Sequence, residues 1–191
     1  QGHEAKVNVL KFSNTGNYLL SGDNAGVINI WDVQSGKLIK TTTSLGGAVK
    51  DIIAHPKKKR FLVLQKNVVR LKGFSGKVYL KYTVKESTEI RASDFSPNGE
   101  LVAIATKEKI VIRKPGVDST LLIIGPNRIK KGTGKSASIK NMGFISDSII
   151  CFMSRMRVYT WNINTYKIEL VDIDYYWSEL SNGAFVQPSK M

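Results

Sequence analysis

The chain has one cysteine and two histidines in 191 residues. One thiol forms no internal disulfide, and this points to a reducing, intracellular setting. Cys151 lies in the apolar run "SIICFM" and reads as a small buried hydrophobe. So few thiols and imidazoles offer no metal-ligand spacing. No nucleophile stands beside an identifiable base and orienting partner. The sequence therefore predicts no catalytic residue, no metal and no cofactor. No run of apolar residues is long enough to cross a membrane as a helix. The opening Gln-Gly-His has neither a charged n-region nor an apolar h-region, so no signal peptide is expected. A start without Met suggests a piece of a longer polypeptide. Acidic residues are also scarce, with 15 against 29 lysines and arginines, a net charge of +14. That balance favours polyanionic partners: nucleic acid, anionic lipid or acidic protein segments.

Helical periodicity is missing too. Apolar residues alternate with polar ones, the period of a half-buried strand. "VNVLKF", "NYLLSG", "VINIWDV" and "KLIKTTT" read as four short strands, and "SNTGN", "DNAG" and "QSG" supply the turns between them. The same order recurs three times further on. Aligning the turn after each first strand places Phe12, Ala54, Phe95 and Phe144 in equivalent positions, at intervals of 42, 41 and 49 residues. A period near 40 to 45 with four strands per unit is the spacing of propeller blades.

The first unit runs from Gly2-His3 through "FSNTGNYLLSGDNAGVINIWD" to Trp31-Asp32. It resembles a WD-repeat β-propeller. "FSPNGELVAIAT" in the third unit and "VYTWNINTYK" in the fourth resemble the same family, the latter with Trp161-Asn162 in place of Trp-Asp. In the second unit "RLKGFSGK" replaces the pair. The resemblance implies an all-β chain with about four four-stranded blades, approximately 3–43, 46–84, 88–124 and 138–173. Residues 174–191 are expected to open a further blade, and other blades of a seven-bladed ring are expected from the parent chain or another subunit. The resemblance also implies a structural network that uses His3, Ser21, Trp31 and Asp32. The family's turn aspartate belongs six residues before the tryptophan, where Ala25 stands, and Asp23 lies out of that register.

"LLIIGPNRIKKGTGKS" ends like a phosphate-binding loop. The G-x-x-x-x-G-K-[ST] pattern needs a glycine where Ile129 stands, and a helix should follow. Neither requirement is met, so the stretch reads as an expanded basic connection carrying Arg128, Lys130, Lys131 and Lys135. Two further basic clusters are Lys57, Lys58, Lys59 and Arg60 in "HPKKKR", and Arg155 with Arg157 in "SRMRVY". All are candidate contacts for RNA or acidic protein. Propeller geometry would place the "KKKR" turn and the 128–135 loop on opposite faces. Tyr175, Tyr176 and Trp177 form a candidate protein-contact run. The resulting expectation is a non-enzymatic scaffold in a multi-subunit ribonucleoprotein assembly, of the kind found in ribosome biogenesis or RNA processing, with a nuclear or nucleolar location favoured. The alternative is a scaffold in vesicle trafficking or cytoskeletal regulation.

Overall fold

The computed structural model describes residues 2–85, 87–117, 120–125, 138–154 and 156–171. Among these there is no helix, and sixteen strands form four separate antiparallel sheets. The first contains β1 (Val7–Phe12), β2 (Tyr18–Asp23), β3 (Val27–Asp32) and β4 (Leu38–Thr43). The second contains β5 (Asp51–Ala54), β6 (Arg60–Leu64), β7 (Val68–Gly73) and β8 (Val78–Thr83). The third contains β9 (Ile90–Phe95), β10 (Val102–Thr106), β11 (Ile110–Arg113) and β12 (Thr120–Ile124). The fourth contains β13 (Ile139–Phe144), β14 (Ile149–Ser154), β15 (Arg157–Asn162) and β16 (Ile168–Val171). Within each sheet every strand pairs with the next in sequence. Phe12, Ala54, Phe95 and Phe144 each end the first strand of their sheet.

Alternation along the middle strands explains how the sheets stack, since successive side chains leave opposite faces. In β6, Phe61 and Val63 join Leu20, Ile28 and Ile30 of the first sheet in one core cluster. Leu62 and Leu64 point the other way and meet Val102 and Ile104 of β10. Ala103 and Ala105 of β10 then meet Ile150 and Phe152 of β14. Each shared face is an apolar layer, so neighbours hold each other in a row, first to fourth. The outer strand β4 is almost wholly exposed. On β1, Leu10 and Phe12 are 62% and 57% exposed, because no described residue stacks on that side of the first sheet.

The turns that follow the first strands are also tied together. Asn14 Nδ2 donates to the Pro56 carbonyl at 2.8 Å. His55 packs on Phe95, with ring centroids 4.8 Å apart, and hydrogen-bonds the Gly99 backbone. The Asn98 amide donates to Asp147 Oδ1 at 2.8 Å. These three links join sheets one to two, two to three, and three to four. Gly99 is required twice over: its φ is +77°, and a Cβ there would lie 2.2 Å from His55 Cε1.

Gly99→Ala should therefore cost about 2–4 kcal/mol, combining left-handed strain with overpacking against His55. Gly16→Ala, at φ +75° with nothing within 4 Å, should cost only the backbone part, about 1–2 kcal/mol. Urea unfolding of both variants measures the difference.

Candidate interaction surface

In the first sheet a polar chain runs from strand to strand. Trp31 Nε1–H donates to Ser21 Oγ at 2.9 Å, and Ser21 Oγ lies 2.6 Å from His3 Nε2. His3 Nδ1 lies 2.7 Å from Asp23 Oδ2. Because an indole nitrogen only donates, the donors fall in one direction, Trp31 to Ser21 to His3 to Asp23. Asp23 Oδ1 also accepts the amides of Ala25 and Val27, at 2.9 and 2.8 Å, closing the β2–β3 turn. Burial works to raise the Asp23 pKa, but the Val27 amide, His3 and the Ala25 amide outweigh it and hold it below the usual value.

Two readings from the sequence need correction here. The network's aspartate is Asp23, at the end of β2, where its carboxylate reaches both the turn amides and His3. Ala25, the position reached by counting back from Trp31, is an exposed turn residue. Asp32 takes no part in the network. Its Oδ1 accepts the amide and hydroxyl of Ser35 at 2.8 and 2.7 Å, capping the β3–β4 turn.

The strand register shows what replaces Trp31 in the other sheets. Trp31 pairs with Leu19 and Leu19 with Phe12. The same ladder places Trp161 beside Ile150 and Phe144 in the fourth sheet. In the second sheet that place belongs to Lys72, opposite Phe61 and Ala54. In the third it belongs to Arg113, opposite Val102 and Phe95. Both cations reach the outer strand of the preceding sheet. Lys72 is buried and donates to Thr42 Oγ1 and the Thr43 carbonyl, both at 2.6 Å. Burial, with Arg70 nearby, pushes its pKa down. The Arg113 guanidinium lies 5.7 Å from the Tyr82 ring centre. No composition or motif signal marked these two residues; only the register does.

"HPKKKR" forms the turn between β5 and β6, and its four cations separate. Arg60 lies over the Tyr79 ring at 3.7 Å, and Lys59 donates to Tyr18 Oη at 2.7 Å. Lys57 and Lys58 are exposed and meet no carboxylate among the described residues. His55 Nδ1 fixes the turn by accepting both their amides, at 3.0 and 3.1 Å. Burial, then the charges of Lys58, Arg60 and Lys57, keep the imidazole pKa below its ordinary value despite the Gly99 bond. Between this turn and Ser13–Asn17 lies a cleft of about 290 Å³, floored by Tyr18, Leu20, Ala54 and Phe74.

Of the other predicted residues, Arg157 is exposed at the start of β15. Arg155, the 128–135 loop and Tyr175, Tyr176 and Trp177 lie outside the described residues. The first strand described beyond that loop, β13, begins at Ile139. Asp94 carries no motif or composition signal in the sequence. Burial raises its pKa, against the amides of Phe144 and Phe95 and the charge of Lys11. Its Oδ2 accepts the Phe144 amide across the third and fourth sheets at 2.9 Å.

Asp23→Ala should destabilise the protein by about 2–4 kcal/mol, losing a turn cap and the acceptor of a part-buried imidazole. Ala25→Asp should change stability by no more than about 0.5 kcal/mol, and thermal unfolding compares the two. A histidine whose folded pKa is lowered contributes stability that is complete above its ordinary pKa of 6.5 and fades as the pH falls below it. His55→Asn keeps a side-chain acceptor for the turn amides without titrating. Between pH 7.5 and pH 5.5 the unfolding midpoint should fall more for the unaltered protein than for His55→Asn.

The family model for the WD domain, G-beta repeat, matches residues 1–32. Actin-interacting protein 1 of Drosophila melanogaster is 33% identical over 104 residues, covering 50% of this chain and 16% of that protein. The chain thus matches a small part of that relative's length. Among solved structures, the β-propeller domain of Cps50 (Swd1) from Myceliophteria thermophila matches with a TM-score of 0.68 at 16% identity. That match covers 82% of this chain and 50% of the other. Residues 1–32 match the WD40 repeat model, and the chain as a whole has the fold of a partial β-propeller.

Proposed function

We propose that this chain is a non-enzymatic WD-repeat scaffold for protein contacts within a large ribonucleoprotein assembly, in ribosome biogenesis or RNA processing. Its charge supports this reading most directly. The net charge is +14, and several of the few carboxylates are occupied by backbone amides rather than by cations, as at Asp32, Asp94 and Asp147. Lys57 and Lys58 consequently face solvent without a carboxylate among the described residues. A rigid surface with unneutralised cations suits the acidic tails and phosphate backbones found in such assemblies. Further blades, supplied by the parent chain or by another subunit, would cover Leu10 and Phe12 and close the ring.

The similarity to actin-interacting protein 1 favours a second reading, a scaffold in cytoskeletal regulation. One pair of measurements separates the two. On the first reading, RNA co-purifies with the protein and is released as salt rises, because phosphate contacts release counterions. On the second, the protein pellets with filamentous actin at physiological salt and retains no RNA.

A further inference from the structure

We infer that the cleft between the Ser13–Asn17 and Pro56–Arg60 turns is a binding site for a short acidic peptide segment. The inference rests on the scaffold reading and gives it a location and a ligand chemistry. One rim carries Lys57 and Lys58, both exposed and without a carboxylate partner among the described residues. Their backbone is held in place by His55 Nδ1, so the two ammonium groups project from a fixed turn. The opposite rim is lined by Thr15 and Asn17, with Ser13 spent on holding that turn through Tyr18. The Asn14–Pro56 bond fastens the rims together, so the cleft is formed before any ligand arrives.

The floor decides between peptide and RNA. Tyr18 and Phe74 meet edge to face, with centroids 5.1 Å apart, and Lys59 already lies 4.8 Å over the Tyr18 ring. Neither ring is left as an open platform for stacking bases, which single-stranded RNA recognition requires. Two free ammonium groups are also too few to follow a run of phosphates. A cleft of about 290 Å³, at the small end of ligand pockets, takes one apolar side chain and its neighbours. An apolar residue seated on the floor and flanked by carboxylates reaching Lys57 and Lys58 satisfies every surface of the site.

The test uses the intact protein and a fluorescent eight-residue peptide in which glutamates flank one phenylalanine. Fluorescence anisotropy at about 0.1 M salt keeps screening moderate. Lys57→Glu with Lys58→Glu should weaken binding about tenfold or more, as expected when charge contacts become repulsive. Lys37→Glu with Lys40→Glu makes the same change of net charge on exposed residues of the first sheet and should alter affinity by less than about twofold. A peptide with glutamine for every glutamate should lose affinity for the unaltered protein, an arm that needs no protein variant to fold. Equal loss in both lysine pairs, or equal binding of the glutamine peptide, overturns the site. Tighter binding of oligouridylate with the same dependence on Lys57 and Lys58 would make it a nucleic-acid site and also overturn the inference. If the peptide fails to bind while RNA or actin is still retained, the cleft assignment falls and the scaffold reading stands.

Discussion

The middle strands β6 and β10 are apolar on both faces, and that single condition dictates how the sheets stack. β10 is buried from Val102 to Thr106, with successive residues entering different core layers. A sheet of this kind is stable only between two neighbours, because exposing either face returns a full layer of aliphatic surface to water. Stacking alone would leave the sheets free to slide or splay. The polar links between the turns, Asn14 to Pro56, His55 to Gly99 and Asn98 to Asp147, act at the rim, where leverage over the angle between sheets is greatest. Apolar area supplies the attraction, and the rim bonds supply the geometry.

The residues at the tryptophan register show the same division of work. Trp161 closes its interface with a large buried ring. Lys72 and Arg113 occupy the equivalent place with long stems that pass along the interface and polar heads that meet the preceding sheet's outer strand. Burying an ammonium among neutral oxygens costs more than burying an indole, and the lowered Lys72 pKa reports that cost. In return the head group fixes the lateral position of one sheet on the next, which a greasy ring does less sharply. These sheets keep the repeat's shape while replacing its most recognisable residue.

That replacement explains what the sequence could and could not reveal. Strand alternation and turn composition marked the four units, because period-two burial is imposed on each strand locally. Phe12, Ala54, Phe95 and Phe144 fell into register for the same reason. The network aspartate was misplaced because counting residues from Trp31 assumes a turn of fixed length, whereas Asp23 reaches His3 from the strand itself. Lys72 and Arg113 were invisible as interface residues because a cation in a strand ordinarily marks a solvent-facing position. The division of "KKKR" into two tethered and two free cations depends on Tyr18 and Tyr79, which belong to other strands and cannot be assigned to those lysines by spacing.

Net charge, taken whole, therefore overstates the surface available to a polyanion. Lys72 braces an interface, Arg60 stacks on Tyr79, and Lys59 is held by Tyr18. Arg70 grips the connection between the first two sheets through Gln65 and the Leu45 carbonyl. Lys72, Arg60 and Arg70 act inward, and salt should disturb them less than it disturbs exposed charges. At the cleft, two lysines face outward from a turn that a neutral imidazole keeps rigid, beside a small apolar floor. Recognition at such a place depends less on total charge than on the match between one apolar side chain and the carboxylates beside it, and that match is what lets a basic surface choose among acidic partners.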